Sequence, residues 1–139
     1  MAVDTHTLTI PSSTSFLEEV REFVTSHATQ AGFSEGAVEQ MKMAVDEACT
    51  NVIEHSYEGK GGQPIDICVS SYPDKLVVVI RDKGLKFDRA AYKEPDLLQF
   101  AKSKKAGGFG VHIMRKLMDS VEYKNTGGFN ECCMTKFRS

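Results

Sequence analysis

Glu47 and Asn51 stand four residues apart inside the stretch DEACTNVIEHSY, residues 46–57. On a helix that spacing makes them surface neighbours, and Glu54 and His55 extend the same edge less directly. A carboxylate there can accept a proton, and an amide oxygen can hold a hard cation such as Mg²⁺. The pair equally fits a solvated polar helix edge, which most surface helices carry. A second candidate is RDKGLKFD, residues 81–88, where Asp82 ends an apolar run and Gly84 follows. An aspartate at a strand end can accept a hydrogen bond from an amino group such as adenine's, in a pocket that excludes water. Gly84 would let a ligand come close to the backbone, although Asp-x-Gly is also ordinary turn chemistry. The third candidate is KSKKAGGFGVHIM, residues 102–114. Gly107, Gly108 and Gly110 open an amphipathic segment, and the free N–H groups and dipole of a helix start suit a phosphate. Lys102, Lys104 and Lys105 just upstream can supply neutralising charge, and a flexible basic loop accounts for the same residues.

These side chains need elements to hold them. THTLTI, residues 5–10, alternates and stops at Pro11, which predicts an edge strand. Ser13 or Ser15 then caps a helix from Phe16 to Gln30, with Phe16, Val20, Phe23, Val24 and Ala28 at helical spacing. Ser34 starts the next helix, whose broad stripe of Val38, Met41, Ala44, Val45, Ala48, Cys49, Val52 and Ile53 predicts a core position as far as about His55. IDICVSS (65–71) and KLVVVIR (75–81) flank Tyr72-Pro73-Asp74 as a hairpin. Residues 82–110 read mainly as a long loop with a short helix near 96–100, and loops of that length in compact domains usually carry function. A helix over about 109–118 and strands near 120–125 and 131–138, joined through Thr126-Gly127-Gly128, complete the chain. The expected fold class is α+β, a two-layer sandwich of a mostly antiparallel sheet covered on one face by helices.

Composition narrows the classes. The chain has 139 residues, enough for one domain with a core of its own, and the expected organisation is a single domain over 1–139. A net charge of -2 excludes a generally basic surface of the kind that binds nucleic acid. The four cysteines form no CxxC pair, so they read as small buried hydrophobes in a reducing compartment, not as a zinc site or a disulfide framework. The N-terminal stretch lacks a signal-peptide pattern and no apolar run is long enough to span a bilayer, so the expectation is a cytoplasmic protein without membrane contact.

The order of the three motifs is more specific than any one of them: Glu-x3-Asn on a helix, Asp-x-Gly after a strand, then a long loop into Gly-x-Gly opening a helix. There is no GxxxxGK[ST] loop and no glycine-rich turn after the first strand. The order resembles the GHKL, or Bergerat-fold, ATPases, the group of gyrase-type topoisomerases and sensor histidine kinases. Within it, TLTIPSSTSFLEEVREFV and MKMAVDEACTNVIEHSY are similar to the opening and the core helix of bacterial anti-sigma-factor serine/threonine kinases. The resemblance covers nearly the whole chain. It implies ATP and Mg²⁺ as cofactors, Glu47 as general base, Asn51 as metal ligand, Asp82 as the adenine-binding carboxylate and Gly84 beside the base. It further implies Gly108 and Gly110 in a second glycine box, an ATP lid over about 89–107, and Lys104 and Lys105 near the phosphates.

The partners implied are a sigma factor, held inactive, and a STAS-fold antagonist phosphorylated on serine or threonine, with the kinase a homodimer that makes no direct contact with nucleic acid. The chain departs from the pattern at Lys86, where a glycine is usual, at Ala106, where an arginine is common, and at Asn130, in place of a threonine. Those departures motivate an alternative, an ATP-binding anti-sigma module with little or no kinase activity.

Overall fold

The computed structural model describes residues 4–84 and 113–138. Five strands form one sheet: β1 (Asp4–Pro11), β2 (Pro64–Ser71), β3 (Lys75–Asp82), β4 (Ser120–Thr126) and β5 (Phe129–Phe137). Their spatial order is β1-β2-β3-β5-β4, and every neighbouring pair is antiparallel. β1 lies at an edge, as a strand ending in proline should. Helices α1 (Leu17–Gln30) and α2 (Glu35–Asn51) pack on each other and on the sheet, giving the predicted two-layer α+β arrangement. Residues 113–117 form a further short helix.

Period-two alternation decides what faces the helices. Ile65, Ile67 and Val69 of β2, Leu76, Val78 and Ile80 of β3, and Cys132 and Met134 of β5 are buried. The residues between them, among them Asp66, Cys68, Val77, Val79 and Cys133, are only half-buried. Val20, Val24 and Ala28 of α1 and Val38, Met41, Ala44, Val45, Ala48 and Cys49 of α2 close the core from the other side. Each fully buried aliphatic side chain of valine size or larger contributes roughly 1.5–3 kcal/mol, so this shared stripe holds the two layers together. All four cysteines are free as expected, but only Cys49 and Cys132 are buried; Cys68 and Cys133 are half-buried, the latter because it takes the sheet face opposite to its neighbour Cys132. Burial pushes the Cys132 thiol up to about 12, which keeps it unreactive. Among the described residues no helix is long and apolar enough to cross a membrane.

Two local devices set the geometry of the site. Ser34 caps α2, its hydroxyl accepting from the Ala37 N–H at 3.2 Å. The other end of α2 departs from the expected run to His55. The α-helix stops at Asn51 and continues as a π turn over Val52–Ser56, in which the Tyr57 N–H reaches back to the Val52 carbonyl at 2.9 Å. Tyr57 then fixes the turn against the sheet, its hydroxyl donating to the Pro64 carbonyl at 2.6 Å and accepting from the Lys83 N–H at 2.8 Å. A short 3₁₀ turn, Thr14–Phe16, precedes α1, so that helix begins one residue later than its hydrophobic spacing suggests.

Candidate functional site

The last residue of β3 continues the alternation of Leu76, Val78 and Ile80, which carries Asp82 onto the helix-facing side of the sheet. It is 4% exposed. Its cross-strand neighbour on β5 is Asn130, 8% exposed. A buried carboxylate needs donors, and three reach it. The Ser56 hydroxyl donates to Asp82 Oδ1, the Gly84 N–H donates at 2.8 Å, and Asn130 Nδ2 donates at 2.9 Å. All three converge on Oδ1, and no donor among the described residues bonds Oδ2. Asn130 Nδ2 also lies 3.3 Å from both the Ser56 hydroxyl and the Gly84 carbonyl. The arrangement leaves one oxygen of a fixed carboxylate to accept from something outside the network.

Gly84 has a reason beyond ligand access. A Cβ built there would collide with the carbonyl oxygen and hydroxyl of Ser56 and come within 2.6 Å of the Ser56 carbonyl carbon. The backbone after β3 therefore runs against the π turn, and no side chain fits between them. Gly84→Ala must push the two segments apart; we expect a loss of about 1–3 kcal/mol in stability, read as a lower midpoint in urea, together with a disturbed Asp82 pocket.

Glu47 and Asn51 occupy the last two turns of α2, and both are half-buried. Burial raises the Glu47 carboxyl above the ordinary carboxylate range, with Asp46 and then Glu54 adding to it. Asp46 is itself engaged by Arg21 at 3.0 Å, and Arg21 also holds Glu18 at 3.0 Å. Glu47 has no ion-pair partner among the described residues. A carboxylate so placed takes up a proton more readily than an exposed one. Asn51 carries the one unsatisfied polar atom found buried among the described side chains: its Nδ2 has no hydrogen-bond partner. Burying an amide N–H without an acceptor costs about 1–3 kcal/mol, so this nitrogen is a free donor that an oxygen acceptor would satisfy. Glu54 and His55, the outer part of the same edge, are exposed.

The structure thus joins Asp82 and Gly84 directly and sets Glu47 and Asn51 one turn apart on a single helix. Lys104, Lys105, Gly108, Gly110 and the expected lid over 89–107 lie outside the described residues. Ser56 was not legible as a site residue. Its only trace in the sequence is a small polar side chain five residues after Asn51, and its approach to Asp82 depends on the π turn.

Comparison with known proteins places the chain in a family. Residues 10–136 match the histidine kinase-like ATPase domain family. The serine-protein kinase RsbW of Halalkalibacterium halodurans is 33% identical over 138 residues, spanning 96% of this chain and 83% of that protein. The serine-protein kinase RsbW of Listeria monocytogenes is also 33% identical over 138 residues, spanning 96% of this chain and 87% of its own length. Among solved structures, the RsbU and RsbW domains of a Mycobacterium tuberculosis protein superpose with a TM-score of 0.69 at 13% identity. That match covers 99% of this chain and 34% of the other, and it bears on the fold alone. The five-stranded antiparallel sheet flanked by helices is the Bergerat-type arrangement, and the chain belongs to the histidine kinase-like ATPase domain family, where it is related to the RsbW-type anti-sigma-factor kinases.

Proposed function

We propose that the chain, read as one ATPase domain over 1–139, is an ATP- and Mg²⁺-dependent serine/threonine kinase. It phosphorylates a STAS-fold anti-sigma-factor antagonist and holds a sigma factor inactive. Relatedness to RsbW kinases supports a kinase role in sigma-factor regulation. The observation that carries the finer reading is the pair on α2, a half-buried carboxylate raised by burial one turn from an orphaned amide.

The residues fit the groups this reading requires. Asn51 would offer its amide oxygen to the cation, in a setting already acidic from Asp46, Glu47 and Glu54, and oxygen donors suit Mg²⁺. Bound Mg²⁺ would supply neutralising charge at the phosphates. Asp82 Oδ2 would accept from the amino group of adenine, with Gly84 beside the base. Lys104, Lys105, Gly108 and Gly110 are proposed for the phosphate end. Glu47 would take the proton of the partner's serine or threonine hydroxyl as that oxygen attacks the γ-phosphorus and the bond to the ADP oxygen breaks. Positioning and charge neutralisation then account for most of the rate. A homodimer, and exclusive binding of sigma factor or unphosphorylated antagonist, belong to the same proposal, with one phosphate biasing the choice of partner.

The test is transfer of label from γ-labelled ATP to a STAS-fold antagonist. Phosphoserine or phosphothreonine on the antagonist, dependent on Mg²⁺, is the expected result. Persistent ATP binding without transfer to any such antagonist would leave only a binding module. Asn51→Ala is expected to abolish the Mg²⁺ dependence of ATP binding, measured by titrating with and without the metal.

A further inference from the structure

We propose that Ser56 and Asn130 are positioning residues that set nucleobase specificity by anchoring Asp82, a step that rests on reading Asp82 as the base-binding carboxylate. A carboxylate oxygen accepts about two hydrogen bonds comfortably, and Oδ1 of Asp82 receives three, from Ser56, Gly84 and Asn130. The donors come from separate parts of the chain: the π turn after α2, the segment leaving β3, and the start of β5. Two are side chains, and they also approach each other, Asn130 Nδ2 lying 3.3 Å from the Ser56 hydroxyl. Rotation of the carboxylate would break all three bonds together, so the group is locked with Oδ2 turned away from the network.

The lock has a chemical consequence. Oδ2 is an acceptor with a fixed position and no donor of its own among the described residues. A purine with an amino group at position 6 satisfies it. A purine with a carbonyl at that position, as in hypoxanthine or guanine, sets acceptor against acceptor and leaves both unpaired, which a buried site penalises strongly. That penalty persists only while the carboxylate cannot turn aside or admit water. Ser56 and Asn130 therefore act on discrimination through the carboxylate they hold. Gly84 contributes its backbone N–H and cannot be deleted by substitution, so the two side chains are where specificity can be altered.

The experiment compares the affinities of the full chain for ATP and ITP, which differ at position 6, in wild type, Ser56→Ala, Asn130→Ala and Asp82→Ala. Thermal melts confirm that each is folded. Wild type should prefer ATP. Ser56→Ala and Asn130→Ala should each shrink the ATP-to-ITP preference by about tenfold, the worth of one hydrogen bond to a charged group. A general loss of structure would weaken both nucleotides alike and leave the ratio in place. An unchanged ratio in both folded variants, while Asp82→Ala abolishes the preference, overturns the role of Ser56 and Asn130 and leaves the base-binding role of Asp82 intact. A wild-type protein that binds neither nucleotide, or binds both equally, overturns this proposal and the reading of Asp82 with it.

Discussion

Glu47→Gln is expected to lower phosphoryl transfer by about 10²–10⁴-fold, the usual worth of a general base, while ATP still binds. The amide is nearly the same size as the carboxylate and keeps the helix edge intact, but it has no site for the hydroxyl proton. The pH profile gives an independent check. Glu47 is raised chiefly by burial, then by Asp46 and Glu54. Wild-type transfer should therefore fall as pH drops through a value above the ordinary carboxylate range, and the residual rate of Glu47→Gln should lack that limb. Stability should move the other way. A carboxyl raised in the folded state favours the fold when protonated, so its contribution is present below the unfolded value and is lost as pH rises through the folded one. At neutral pH wild type carries that loss and the glutamine variant does not. Glu47→Gln should melt above wild type at pH 7 and converge with it in acid, as measured by thermal scans across pH.

Asp82→Ala is the second large effect. Removing the carboxylate proposed to accept from the base should weaken ATP by about a hundredfold, at the upper end for a hydrogen bond to a charged group. It also deprives the Ser56 hydroxyl, the Gly84 N–H and Asn130 Nδ2 of their common acceptor. Leaving buried donors short of a partner costs about 1–3 kcal/mol, so the variant should unfold at lower urea. The two variants separate the two ends of the site: Glu47→Gln loses transfer and keeps binding, and Asp82→Ala loses binding first.

Much of this arrangement is legible in the chain because local periodicity encodes it. The four-residue spacing of Glu47 and Asn51 beside an apolar stripe fixes their common edge. The run Leu76, Val78, Ile80, Asp82 puts the aspartate in phase with the buried face, so its burial follows from counting by two. What the chain does not display is set by tertiary geometry. Asn130 meets Asp82 across 48 residues of sequence. Its register depends on the β3–β5 pairing and on the tight Gly127–Gly128 turn, where φ values of 58° and 86° suit the two-residue hairpin. Ser56 is hidden for a different reason. Helical spacing carried straight on from Asn51 assumes an α-helix as far as His55, and the π turn breaks that assumption where the chain meets Asp82. Gly84 reads in sequence as room for a ligand, and in the fold its missing side chain makes room for the backbone of Ser56.

The most direct test of the account is calorimetric titration of ATP into the full chain, with and without Mg²⁺, in wild type and Asp82→Ala. Saturable, Mg²⁺-dependent binding at one site in wild type, weakened by about a hundredfold in a folded Asp82→Ala, is the expected result. Absence of binding by wild type under both conditions, or equal binding by the two proteins, would contradict it.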